Sequence, residues 1–161
     1  MEAITTKITI DEGKFLTFSL GKEEYGVEIL KIREIIGIMD ITTVPQTPDY
    51  MKGVINLRGK VIPVIDLRLK FSMEEVEYTQ ETCVIVVEVS KSLIGIIVDN
   101  VSEVLDIKSG EIEDPPQFGQ EIDTSFIMGL GKAKGKIIIL LDIEKVLSSE
   151  ELEMVEQIVE N

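Results

Sequence analysis

Apolar residues in this chain come in short bursts broken by polar turns, a spacing that predicts strands rather than long helices. Phe15-Leu16-Thr17-Phe18-Ser19-Leu20 reads as a strand, Gly21-Lys22-Glu23-Glu24 as a polar turn, and Tyr25-Gly26-Val27-Glu28-Ile29 as the returning strand of a hairpin. Residues 1–14 read as a tail, with a short strand at Ile8-Thr9-Ile10. Two patterns compete from Leu30 to Ile38. Apolar positions 29, 32, 35 and 36 suit a helix, whereas Ile35-Ile36-Gly37-Ile38 suits a strand. Pro45 and Pro48 mark an extended loop, because the residue before a proline is driven out of helical geometry. Residues 53–57 and 61–67 form strands around the tight turn Arg58-Gly59-Lys60. Pro63 cannot donate to a ladder, so its strand is expected at an edge or a bulge.

The pattern then recurs. Residues 72–82 are an acidic loop, followed by strands at 83–89 and 93–98 around the turn Ser90-Lys91-Ser92. Residues 111–125, with Pro115-Pro116, read as a long loop, and 126–130 pairs with 136–143 across a Gly/Lys turn. Ser148 with Glu151 matches a capping box that opens a final helix at 148–161. Leu152, Val155, Ile158 and Val159 give this helix one apolar stripe.

The recurrence has the form of an internal duplication. Tyr25-Gly26-Val27 aligns with Ile94-Gly95-Ile96 at an offset of 69 (94 against 25), and the same offset pairs Ile32 with Val101, Glu34 with Glu103 and Ile35 with Val104. Gly53, Gly59 and Asp66 align with Gly129, Gly135 and Asp142 at an offset of 76 (129 against 53), the difference being absorbed by the longer loop around Pro115. Two copies of a strand-rich unit predict an all-β fold of two small five-stranded barrels, with short helices and a C-terminal helix. The expected organisation is a tail at 1–14, one domain at 15–147 with approximate barrel subdomains 15–71 and 83–147 that can exchange strands, and the helix at 148–161.

Composition narrows what such a fold does. The 161 residues are 44% hydrophobic and 29% charged, enough apolar material for a core. With 5 Phe, 3 Tyr and no Trp, that core is aliphatic. A formal net charge of −14 repels phosphate backbones and anionic membranes, so neither nucleic acid nor a membrane surface is an expected partner. The start of the chain carries acid and only short apolar stretches, so no signal peptide is expected, and no apolar run is long enough to span a bilayer. Cys83 is alone within an apolar run and reads as a small buried hydrophobe. The absence of His removes every His-based triad, dyad and metal site.

Little of what remains carries chemistry. The stretch from Gly129 to Lys136 lacks the GK[ST] ending of a phosphate loop and lies inside a hairpin pattern, so it reads as a flexible turn. Asp66 and Asp142 each follow an apolar strand at equivalent places in the repeats, which points to capping of the following turn rather than to catalysis. Arg58 stands out at a hairpin tip. It reads either as a solvated turn cation or as an interface arginine, whose planar fork suits recognition.

The stretch from Tyr50 to Arg68, containing Gly53-Val54-Ile55-Asn56-Leu57-Arg58-Gly59 and Pro63, Asp66-Leu67-Arg68, resembles the signature of the CheW family. Glu24 to Ile32 and Val98 to Leu105 are similar to two further blocks, and the resemblance runs from about Phe15 to Leu147. It implies two five-stranded barrels packed around a third hydrophobic core. It also implies a cytoplasmic adaptor, recruited to membrane-associated receptor arrays, that bridges the cytoplasmic tips of chemoreceptors and the CheW-like regulatory domain of the histidine kinase CheA. The receptor tip would enter the groove between barrels, with no catalytic residue, cofactor or metal. By matching positions, Ile32, Glu34, Gly53, Arg58, Val101 and Val104 would line or support the receptor-facing and kinase-facing surfaces. Ile32, Val101 and Val104 read equally as core residues. The rivals are another CheW-like interaction module and a small acid-dependent hydrolase using Asp66 or Asp142.

Overall fold

The computed structural model describes residues 13–115 and 124–160. Ile8-Thr9-Ile10 and the middle of the long loop lie outside the described residues. Within them, four hairpins with two-residue turns carry the fold. The first joins β1 (Gly13–Leu20) to β2 (Glu23–Glu28). After a 3-10 turn at Ile29–Lys31 comes β3 (Ile32–Gly37). The second hairpin is β4 (Met51–Leu57) with β5 (Lys60–Asp66), followed by the short helix α1 (Leu67–Lys70). The third is β6 (Cys83–Val89) with β7 (Ser92–Val98), leading to β8 (Asn100–Ile107). A two-residue strand β9 (Ile112–Glu113) precedes the fourth, β10 (Ile127–Ala133) with β11 (Lys136–Leu141). The chain ends in helix α2 (Ser149–Glu160).

These strands form two sheets, ordered β8-β1-β2-β11-β10-β9 and β3-β6-β7-β5-β4. The all-β class holds, but the expected pair of closed five-stranded barrels does not. One sheet has six strands and the other five, and no ladder joins their outermost strands among the described residues. The physical reason is the same in both sheets. The chain leaves β3 and β8 at one edge and its continuation pairs at the opposite edge, as the single bridge Thr42↔Val54 in one sheet and as β9 against β10 in the other. The covalent chain wraps the ends where hydrogen bonds would close a barrel.

The molecule divides into two compact units, with breaks after Ile29, Val101 and Val146. The first hairpin of repeat one therefore lies with the later strands of repeat two, through the parallel ladder of β2 on β11. The first hairpin of repeat two lies with the later strands of repeat one, through β7 on β5. The stretches 15–71 and 83–147 thus each contribute to both units.

The aligned glycines mark where these ladders need room. Gly26 lies opposite Leu140 and Gly95 opposite Val64. A β-carbon would stand 3.0 Å from Leu140 Cδ2 at the first and 2.7 Å from Val84 Cγ1 at the second. One unit buries Phe15, Ile107, Ile138 and Leu140 together, and the other buries Ile55, Ile62, Val64, Val84, Val86 and Ile97. β6 and β7 are nearly continuous buried runs, as strands covered on both faces should be.

Several local expectations resolve here. The ambiguous segment 30–38 is a 3-10 turn followed by a strand, because β6 supplies a ladder for Ile32 to Gly37 that an isolated short helix would lack. Pro63 lies in an interior strand, against the expectation of an edge or bulge. Its missing N–H is harmless because Val54, opposite, turns its own N–H and C=O to Thr42, and the ladder to β7 begins only at Val64. Cys83 is half-buried rather than buried. The capping box is present in both halves: Ser148 N–H donates to Glu151 Oε1 (2.8 Å) and Glu151 N–H to Ser148 Oγ (3.1 Å).

Candidate functional site

The hairpin β4–β5 ends in Arg58-Gly59, with φ of 53° and 88°. Two positive φ values define the type I′ turn that matches strand twist. Asn56 Oδ1 accepts the Gly59 N–H at 2.8 Å and stiffens the turn. The Arg58 guanidinium reaches across to β3 and meets Glu34 in a two-toothed contact, Nη1 donating to Oε2 at 3.1 Å and Nη2 to Oε1. The strand places Glu34 for this role. A bulge at Arg33 shifts the β3 register, and Glu34 shares a face of the strand with Ile36, which packs on the core two residues further on. An edge strand thus turns one carboxylate toward the hairpin tip. Hydrogen bonding to Arg58 holds the Glu34 carboxyl below the usual carboxylate range, and Glu34 raises the guanidinium in turn. The Arg58 side chain remains 69% exposed and Glu34 30%. The pair is an oriented surface fork, open to a partner.

Gly53 lies on the same strand, buried where Thr42 crosses β4. Its φ is +144°, and a β-carbon would stand 2.1 Å from Thr42 O. It holds the hairpin's base and offers no side chain. Ile32 is half-buried at the start of β3 and Val101 half-buried in β8. Val104 is 49% exposed. None of these three belongs to the fully buried core. The structure brings Glu34 and Arg58 into contact, with Ile32 and Gly53 on the strands that carry them. Val104 belongs to the other compact unit.

The carboxylates proposed for hydrolysis are otherwise engaged. Asp66 is buried and caps α1, accepting from Leu69 N–H (3.3 Å) and from Tyr78 O–H (2.8 Å). Asp142 accepts from Glu144 N–H (3.1 Å). The backbones match as well: Asp66 N–H donates to Tyr50 O and Asp142 N–H to Phe126 O, both at 2.8 Å. Among the described residues no three His, Cys, Asp or Glu side chains converge as metal ligands would, and no helix is long and apolar enough to cross a membrane.

One feature escaped the sequence reading. Lys134, dismissed within a flexible turn, stands at the tip of β10–β11 with φ of 53°, as Arg58 does, and its Nζ donates to Glu103 Oε1 at 2.8 Å. The two repeat offsets, applied to Glu34 and Arg58, lead to Glu103 and Lys134 and would have found the pair.

The family model described as a CheW-like domain matches residues 14–151. The chain is 46% identical over 145 residues to the chemotaxis protein CheW of Klebsiella aerogenes, covering 90% of this chain and 87% of that protein. It is 33% identical over 147 residues to the chemotaxis protein CheW of Bacillus subtilis, covering 91% and 94%. Among solved structures, the scaffolding protein TtCheW from Thermoanaerobacter tengcongensis superposes with a TM-score of 0.79 at 37% identity, covering 87% of this chain and 97% of that one. With its duplicated sheets, its capped repeat aspartates and its match across almost the whole length, the chain belongs to the CheW family of chemotaxis scaffold proteins.

Proposed function

We propose that this chain is a non-catalytic adaptor that couples transmembrane chemoreceptors to the histidine kinase CheA, working in the cytoplasm at receptor arrays. The observation that carries the reading is the Arg58–Glu34 fork at an exposed hairpin tip. An arginine held in a fixed orientation presents a weakly hydrated plane and spare donors, the chemistry favoured at protein contacts. Glu34 and Arg58 make the charged contact with the partner. Gly53 holds the base of the hairpin, Ile32 and Val101 support the strands from half-buried positions, and Val104 offers an exposed apolar contact. The receptor presents a helical tip, and the kinase presents its CheW-like regulatory domain. Such an adaptor acts by shifting the kinase between active and inactive populations. Individually weak contacts gain strength when several are engaged at once.

The test is Arg58→Glu in a reconstituted mixture of chain, receptor cytoplasmic fragment and CheA. The expected result is a folded protein that no longer supports receptor-controlled kinase activity. Full kinase control by that variant would remove Arg58 from the docking surface.

A further inference from the structure

Helix α2 lies in the same compact unit as the β4–β5 hairpin and packs against β5. Its own sequence gives it little reason to be a helix. It has 12 residues, a length at which isolated helices are barely stable in water. The segment contains no Lys or Arg. Glu150, Glu153 and Glu156 follow one another three apart, a spacing at which like charges repel along a helix. Docking supplies what the sequence lacks. Val155 is fully buried, Ser92 Oγ of β7 donates to Glu156, and Glu151 pins the first turn.

Glu151 divides its two oxygens. Oε1 accepts the Ser148 N–H of the capping box (2.8 Å), and Oε2 accepts from Lys70 Nζ (3.0 Å). The carboxylate also accepts the Tyr50 hydroxyl. Burial, with Glu151 alongside, pushes that hydroxyl up to about 12, so it stays a donor at neutral pH. Lys70 Nζ stands 5.0 Å from the centre of the Tyr50 ring, within cation–π reach. Tyr50 comes directly before β4, and Lys70 ends α1, which follows directly on β5. One carboxylate therefore ties together the two legs of the hairpin that carries Arg58. The β4 leg needs such a tie. It is the outermost strand of its sheet, and its register slips between Met51 and Gly53. At its base the Asp66 N–H donates to Tyr50 O at 2.8 Å, a bond lost if Tyr50 drifts.

We propose that Glu151 is a positioning residue for the docking hairpin and that α2 is a latch. Docked, the latch fixes the base of β4–β5 and with it the aim of Arg58. Released as a unit while the sheets stay folded, it frees the base. The role rests on the reading of the Arg58–Glu34 tip as a docking surface. Whatever holds α2 down shifts the population toward the aimed hairpin, and whatever competes for α2 shifts it away.

The experiment is amide hydrogen exchange read by mass spectrometry on the full chain. Peptides of α2 should exchange at least about tenfold faster than those of β6 and β7, as a locally opening segment does. Glu151→Gln preserves the capping box, which glutamine also serves, and removes the charged tie to Lys70. It should speed exchange about tenfold in α2 and in peptides covering 50–53 and 64–67, and leave β6 and β7 unchanged. Lys70→Met, which leaves α2 untouched, should do the same, and Lys70→Arg should keep the parent's rates. Exchange of α2 at the rate of β6 and β7 would mean that no latch opens. Faster exchange in α2 alone would mean that Glu151 does not hold the hairpin. Either result overturns the proposal without touching the docking reading. In the reconstituted mixture of receptor fragment and CheA, Glu151→Gln should need about threefold more chain for half-maximal kinase control. An unchanged requirement would overturn the positioning role. Full control by Arg58→Glu in the same mixture would instead sink the docking reading, and the positioning role with it, while the exchange result stands apart.

Discussion

Replacing Gly53 with alanine tests whether the chain crossing at Thr42 organises the β4–β5 hairpin. A β-carbon there would stand 2.1 Å from Thr42 O, 2.8 Å from Thr42 C and 2.9 Å from Ile41 Cγ2. The obstacle is mostly backbone, so no side-chain rotation relieves it. The crossing segment must withdraw, and that strains or breaks both bridge hydrogen bonds, Thr42 N–H to Val54 O (2.8 Å) and Val54 N–H to Thr42 O (2.9 Å). Losing them removes roughly 1 kcal/mol each. Holding alanine at φ +144° costs a further ~1–3 kcal/mol. The stiffer unfolded chain returns about 0.4–1 kcal/mol. The net expectation is a loss of about 3 kcal/mol, or roughly 6–12 °C in Tm for a chain of this size. Urea and thermal unfolding measure it, with Gly37→Ala as the control. Nothing lies within 4 Å of a β-carbon at Gly37, so that variant should stay within about 0.5 kcal/mol of the parent. If Gly53→Ala proves as stable as Gly37→Ala, the crossing does not constrain the hairpin and the reasoning is wrong.

Arg58→Asn places the preferred Asn-Gly pair in the turn, so the variant should be at least as stable as the parent by thermal melting while losing receptor-dependent kinase control. Arg68 holds Asp99 with both Nε (2.8 Å) and Nη2 (2.6 Å) and donates from Nη1 to Glu74 O (3.0 Å). Arg68→Ala should therefore destabilise the fold by about 2 kcal/mol and speed proteolysis in the loop at 72–82. Glu151 makes stability depend on pH. Burial alone would raise its carboxyl, but the Ser148 N–H, Lys70 and Tyr50 outweigh that and hold it below its ordinary value. A carboxyl depressed in the folded state stabilises above its unfolded pKa, and the contribution fades as pH falls through the folded pKa. The Tm gap between parent and Glu151→Gln should be open at neutral pH, start to narrow as pH falls past the ordinary glutamate value of about 4.3, and close only below the lowered folded-state value. A gap that persists in acid would assign Glu151 a role independent of its charge.

The local elements of this protein were legible from its residues. Alternating apolar runs marked the hairpins, Ser148 and Glu151 marked the start of α2, and recurrent Gly and Asp marked the duplication. Such signals are short-range: a turn residue, a cap or a strand period acts through its immediate neighbours. The site was half legible, because motif resemblance singled out Arg58 and Glu34 without revealing that they bind each other, and left Lys134 inside a turn. Only the tertiary structure decided which hairpin joins which sheet. The parallel ladders of β2 on β11 and of β7 on β5 join segments far apart in the chain and exchange strands between the repeats. Two similar repeats offer similar hairpins to either partner, so local pattern cannot choose between them. That choice depends on the fit of whole strands, such as Gly26 under Leu140 and Gly95 under Val84, and the fit exists only once the chain has folded.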